Sequence, residues 1–199
     1  MNKRSRIIGA ILAGGKSSRM GQNKALLNLN GKSFIHSIAS VLRQVFRDVI
    51  IISDHAEPCR SLGLPVYPDI IKNCGPLSGV HSAFVHSSAP EIFVTSCDIP
   101  FISKELVEYI VDFDSKADVS IPFMNGKLHP LCALYTWKCF SFVEKNLKNK
   151  RFRLMDILKD LQVTVVPITP DLFFYRSNLL QNFNELIDYQ NLIQKGLHC

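Results

Sequence analysis

Two periods of hydrophobic patterning alternate along this chain. Short continuous runs rich in Ile and Val recur at residues 7–12, 49–53, 92–96, 119–121, 131–135 and 163–168. Apolar runs of this length predict strands buried on both faces. The stretches between them follow a helical period instead. Residues 33–46 place Phe34, Ile35, Ile38, Val41, Leu42 and Val45 on one stripe, and 77–86, 104–113 and 138–147 read as further helices. Ser103 is an N-cap for the third, with Glu105 in its first turn, and Pro76 suits the first position of the second. Strands alternating with helices predict an α/β fold: a three-layer, mostly parallel sheet with helices on both faces.

The C-terminal quarter is less regular. Pro167 and Pro170 interrupt residues 148–199, a final amphipathic stretch covers 185–193, and the region is expected to pack as an extension on the main sheet. Neither repeat nor linker marks a boundary. The expectation is one domain over 1–199, with a nucleotide-binding half at about 1–101 and an acceptor-binding half with the extension at about 102–199. A chain of 199 residues with 47% hydrophobic content can bury a full core.

Composition narrows the function. The basic start MNKRSR precedes an apolar stretch too short for a signal peptide, and no run reaches the ~18 residues of a membrane span, so a soluble cytoplasmic protein without membrane association is expected. Six cysteines, at positions 59, 74, 97, 132, 139 and 199, form no C-x-x-C pair, which favours reduced packing residues over zinc or disulfides. A formal charge of +6 suits a polyanion. Nucleic acid is disfavoured, because the dense basic cluster Lys148, Lys150, Arg151 and Arg153 encloses one aromatic, Phe152, and no nucleic-acid module.

The candidate chemistry begins where the first strand breaks. In residues 7–27, IIGAILAGGKSSRMGQNKALL, Gly14 and Gly15 permit a sharp turn and close backbone approach, and Lys16, Arg19 and Lys24 follow as spaced cations. Gly15-Lys16-Ser17 does not close a P-loop, since the first glycine of that motif would fall at Ala10, and G-x-G-x-x-G is absent. A longer loop of this kind can wrap a triphosphate. The N–H groups of residues 13–15 are expected to face its oxygens, and Arg19 and Lys24 to offset charge on a leaving pyrophosphate. That suits nucleotidyl transfer at the carboxyl ends of parallel strands.

Two more segments bear on the same edge. Asp98 ends the apolar run Phe93–Ser96 and precedes Pro100; a strand-end carboxylate can seat Mg²⁺ alongside substrate phosphates, though it can equally serve as an Asx turn or cap. Asp69, in Tyr67-Pro68-Asp69 before Cys74-Gly75-Pro76-Leu77-Ser78-Gly79, could accept hydrogen bonds from the ring nitrogens of a base, and a plain turn reads as well there. His129-Pro130, after the turn Asn125-Gly126, offers a titrating group or a structural one. Signatures of covalent nucleophiles such as G-x-S-x-G are missing, and in-line transfer needs positioning and charge stabilisation instead.

Taken together, Leu12-Ala13-Gly14-Gly15-x-Ser17-x-Arg19-Met20-Gly21-x-x-Lys24, Gly75-Pro76-Leu77-x-Gly79 and Cys97-Asp98-Ile99-Pro100 resemble the molybdenum cofactor guanylyltransferases. The resemblance spans nearly the whole chain and is firmest over 7–101. It implies a Rossmann-like nucleotidyltransferase sheet, and transfer of GMP from GTP to the phosphate of molybdopterin with Mg²⁺, forming the guanine dinucleotide and pyrophosphate. By that resemblance Leu12, Ala13, Gly14 and Gly15 hold the nucleotide by backbone, Lys24 its phosphates and Asp69 the guanosine portion. Asp98 binds the metal, and Arg19 meets pyrophosphate charge. His129, Arg151, Arg153 and Asn182 are assigned to the acceptor. A monomer is expected, with molybdoenzymes or other cofactor-synthesis proteins as partners.

Two departures qualify the match. The family's Asn-x-Asn-Thr-Pro-Glu ending becomes Asn182-Phe183-Asn184-Glu185, and Ser53 stands where some members carry an asparagine near the base, leaving that contact missing or supplied by Ser53 or Asp54. Cytidylyl transfer to the same acceptor, nucleotidyl transfer to a sugar phosphate and a nucleotide-responsive binding protein are the alternatives. Retention of both Lys24 and Asp98 weighs against the binding protein.

Overall fold

The computed structural model describes residues 3–14, 28–29, 32–113 and 116–183. Its centre is β1, Ile7–Leu12, which pairs in parallel with a strand on each side. A short antiparallel pair, β2 (Asn28–Leu29) and β3 (Lys32–Ser33), leads into helix α1, Phe34–Val45. Then come β4 (Asp48–Ile52), β5 (Val66–Tyr67), α2 (Pro76–Ser87), β6 (Glu91–Ser96) and α3 (Lys104–Phe113). The second half adds β7 (Val119–Met124), β8 (Lys127–Leu128), β9 (Cys132–Thr136), α4 (Phe140–Lys148), α5 (Leu154–Ile157) and β10 (Val163–Pro167).

The strands form one mixed, mostly parallel sheet in the order β10-β7-β9-β6-β1-β4-β5, with β8 on β7. Among the described strands of this sheet, only β9 and β8 run against their neighbours. The connection from β7 to β9 holds a two-stranded turn at Asn125 (φ 52°) and Gly126 (φ 75°) and no helix, and so short a link cannot make a parallel crossover.

Each face of the sheet carries its own core. On one, Ile7, Ile11 and Phe93 meet Ile38 and Leu42 of α1, Leu106 and Ile110 of α3, and Leu179 and Leu180 of the C-terminal stretch. On the other, Ala10, Ile50, Ile92 and Val94 meet Leu77, Val80 and Phe84 of α2, Val143 of α4 and Ile157 of α5. Alternate residues of each strand serve opposite layers, which explains the continuous apolar runs. The three-layer expectation is met; within the region expected to be an extension, α5 joins the second core and β10 is an edge strand of the sheet, while Ile168, Phe174, Leu179 and Leu180 pack on the α1/α3 face. Ser103 caps α3 as expected, its hydroxyl accepting the Leu106 N–H at 3.2 Å. Cys59, Cys74, Cys97, Cys132 and Cys139 are buried, and no disulfide joins any two of them. Among the described residues no helix is long and apolar enough to cross a membrane.

One glycine fixes how closely α2 approaches the site. A Cβ on Gly79 would stand 3.0 Å from both Leu12 Cδ atoms, so the bare backbone of α2 rests on the last residue of β1. Gly79→Val is therefore expected to destabilise the protein by about 1–3 kcal/mol through overpacking. Urea denaturation reads the loss; an unchanged midpoint would show that Leu12 has room to move.

Candidate nucleotide-binding site

Four parallel strands, β1, β4, β5 and β6, deliver their carboxyl ends to one edge of the sheet. The residues that follow them form the candidate site: Ala13 and Gly14 after β1, Ser53 and Asp54 after β4, Pro68 and Asp69 after β5, Cys97 and Asp98 after β6. In open α/β sheets this edge is where ligands bind.

The chain end of β1 is held tightly. Ala13 N–H donates to Ile52 O at 2.9 Å, and Leu12 O accepts Cys97 N–H at 3.1 Å. The Ser53 hydroxyl lies 3.2 Å from Ala13 O and 3.1 Å from His55 O, and accepts the His55 N–H at 3.1 Å. This corrects the expected cradle of N–H groups. Ala13 spends its N–H on the β4 ladder, so the amide of residue 13 is not free to face a phosphate. Ser53, fully engaged with Ala13 and His55, does not stand in for a base-contacting asparagine. Gly15, Arg19 and Lys24 lie outside the described residues.

Asp69 reaches back to this turn. A Cβ on Gly14 would sit 3.5 Å from Asp69 Oδ2, which puts the carboxylate against the glycine backbone. Asp69 Oδ1 is buried without a hydrogen-bond partner among the described residues. Burial, and then the neighbouring Asp54 charge, push the Asp69 carboxyl above its ordinary range; the Ser78 and Ser82 hydroxyls and Lys72 act in the opposite direction. The segment carrying it is laid along α2: Ile70 N–H donates to Ser82 Oγ at 2.9 Å, the Ser78 hydroxyl donates to Ile71 O, and Tyr67 stacks on His86 with centroids 4.5 Å apart. The plain-turn alternative for this stretch leaves the orphaned oxygen unexplained.

Asp98 sits on the other side of β1. Its Oδ1 accepts the Ser96 hydroxyl, and no described residue takes Oδ2. Among the described residues no three His, Cys, Asp or Glu side chains converge on a metal position. A magnesium ion held mostly by substrate phosphates needs one or two carboxylates, and Asp98, half-buried with one oxygen anchored and one uncommitted, fits that demand.

Of the acceptor candidates, His129 and Asn182 are near neighbours in sequence of residues bonded to the Ser96–Asp98 turn. Leu131 O, two residues beyond His129, accepts Ser96 N–H at 3.0 Å, and burial holds the His129 imidazole below its ordinary pKa. Asn182 precedes Phe183, whose N–H donates to Asp98 O at 2.9 Å. The Phe183 ring is 1% exposed and meets Phe34 and Phe101 edge-on at 5.6 and 5.5 Å. Phe183, at the variable position between the two asparagines, is thus an aromatic anchor for this stretch, which nothing in the Asn182–Glu185 pattern announced. Arg151 and Arg153 are exposed after α4, and no described contact joins them to Asp69 or Asp98. Lys72 and Asp54, which form an ion pair beside Asp69, are site neighbours that motif reading did not connect.

Known proteins share the sequence family and the fold of this chain. Residues 9–165 match the family model of the MobA-like NTP transferase domain. A Clostridium perfringens protein named "Probable molybdenum cofactor guanylyltransferase" is 37% identical over 190 residues, covering 94% of this chain and 96% of its own length. One of the same name from Pelotomaculum thermopropionicum is 39% identical over 158 residues, covering 79% and 77%. The crystal structure of molybdopterin-guanine dinucleotide biosynthesis protein A from Archaeoglobus fulgidus superposes with a TM-score of 0.80 at 21% identity over 95% and 98% of the two chains, sharing the fold. The strand edge built from Gly14, Asp69 and Asp98 thus sits on a scaffold whose sequence and architecture agree, and the chain belongs to the MobA-like NTP transferase domain family.

Proposed function

We propose that this protein transfers GMP from GTP to the terminal phosphate of molybdopterin, releasing pyrophosphate and forming molybdopterin guanine dinucleotide. The observation that carries the reading is Asp69, whose Oδ2 lies against Gly14 and whose buried Oδ1 has no partner among the described residues, on the opposite side of β1 from Asp98. A carboxylate only accepts hydrogen bonds, and guanine offers it two adjacent donors, N1–H and the 2-amino group. Cytosine offers no such pair, so cytidylyl transfer fits this site less well.

In the reaction, a phosphate oxygen of the acceptor attacks the α-phosphorus of GTP in line, and the bond from that phosphorus to the bridging oxygen of pyrophosphate breaks. Magnesium, when bound, supplies charge neutralisation and orientation of the phosphates. Asp98 would hold it through Oδ2, with Oδ1 fixed by Ser96. Backbone amides from Gly14 and Gly15 would face the phosphates, Lys24 would hold them, and Arg19 would meet the charge on the leaving group. Asp69 would bind the base. His129 and Asn182 would receive the acceptor phosphate, with Arg151 and Arg153 as outer cations of the same half.

Asp69→Asn tests the reading. The amide gains a donor, which suits the 2-oxo group of xanthine and opposes the 2-amino group of guanine. Calorimetric titration should show GTP binding weakened about tenfold or more and XTP favoured over GTP. Unchanged GTP affinity with XTP still rejected would remove Asp69 from base recognition.

A further inference from the structure

Asp69 is aimed at its target by groups outside the family motifs. Its own backbone N–H donates to Asp54 Oδ1 at 3.1 Å, and Lys72 Nζ binds the same oxygen. Asp54 follows β4 and Lys72 follows the Asp69 turn, so one carboxylate oxygen ties the end of β4 to both ends of the Asp69–Lys72 segment. The same segment is bonded to α2 through Ser78 and Ser82, and Lys72 O accepts the Cys74 thiol at 3.3 Å. The segment is therefore clamped on two sides, and Asp54 is the clamp on the side of the β1 turn that carries Gly14.

We infer that the Asp54–Lys72 pair is the positioning device for base discrimination, holding Asp69 where both its oxygens can accept from the Watson–Crick edge of a purine bearing a 2-amino group. The inference rests on the base-binding reading of Asp69. Bidentate acceptance is sensitive to position, because a shift of about 1 Å forfeits one of the two hydrogen bonds while leaving the other. Without Asp54 the Asp69 N–H loses its partner and Lys72 has no anchor, so the segment is free to tilt about its α2 contacts. The pair itself is largely exposed, with side chains 40% and 52% accessible, and contributes little to overall stability. Its effect belongs to the orientation of Asp69.

Inosine triphosphate separates positioning from general binding, since it keeps N1–H and lacks the 2-amino group. Affinities of the full-length chain for GTP and ITP, measured by calorimetry with Mg²⁺, give a discrimination ratio. Asp54→Ala should lower that ratio about fivefold to tenfold while ITP affinity changes less than about twofold. Asp54→Asn, which keeps an acceptor for the Asp69 N–H, should restore most of it. Lys72→Met should shift the ratio in the same direction by less. Equal weakening of GTP and ITP in Asp54→Ala, or no change in either, overturns the inference. If Asp69→Asn also leaves the ratio untouched, the base-binding reading itself falls; if Asp69→Asn collapses the ratio and Asp54→Ala does not, only the role of the pair is lost.

Discussion

Asp98→Ala is expected to reduce pyrophosphate release from GTP and molybdopterin by about a thousandfold or more, the scale of losing a preorganised charge partner at a phosphoryl centre. The folded state should persist. Asp98 follows β6 in a half-buried turn whose backbone is held by Phe183 N–H on its carbonyl, and the side chain's own described bond is to the Ser96 hydroxyl. Losing that bond costs on the order of 1 kcal/mol. Coupled pyrophosphate detection at saturating Mg²⁺, with circular dichroism as the folding control, separates the two effects. A folded variant turning over at the native rate would dissociate Asp98 from metal and phosphate.

The second large effect is on stability. Phe183→Ala is expected to cost about 3–5 kcal/mol, because it empties a site 1% exposed between Phe34 and Phe101. For a domain of this size that corresponds to a fall in Tm on the order of 10 °C. Phe183→Leu, which refills most of the volume, should recover more than half. Activity should fall further than the fraction unfolded accounts for, since the Phe183 N–H on Asp98 O and the placement of Asn182 go with the ring. A Tm within about 2 °C of native would show that the ring contributes little and does not anchor the C-terminal stretch.

Much of the scaffold was legible because buried strands and amphipathic helices differ in period. Residues 7–12 and 92–96 form β1 and β6 essentially where the apolar runs lie. Residues 119–121 extend to Met124, since Pro122 and Phe123 accept positions beside β10 rather than ending the strand. β5, two residues long, was invisible: Val66–Tyr67 is too short for any period and exists because its ladder completes the edge beside β4. The run 131–135 predicted β9, but its antiparallel direction was not readable from apolarity, although the short link through Asn125-Gly126 forbids a crossover.

The site divides in the same way. Gly14, Asp69 and Asp98 stood out because each breaks or ends an apolar run, and an edge built from strand ends collects such breaks. Which groups remain available there could not be read from residue type. Ala13 N–H is consumed by Ile52, Ser53 by Ala13 and His55, and Asp54 by Asp69 and Lys72, all through pairings between segments distant in the chain.

By itself the sequence determined a layered α/β scaffold, a glycine-rich turn after its first strand and two carboxylates at later breaks, because burial period and backbone freedom are local properties. Only the tertiary structure decided that Asp69 lies against Gly14 with an orphaned oxygen, that Asp54 and Lys72 aim it, and that Phe183 fastens the C-terminal stretch to Asp98. Those arrangements depend on strand order and on the desolvation of particular atoms, and both arise only when remote segments pack together.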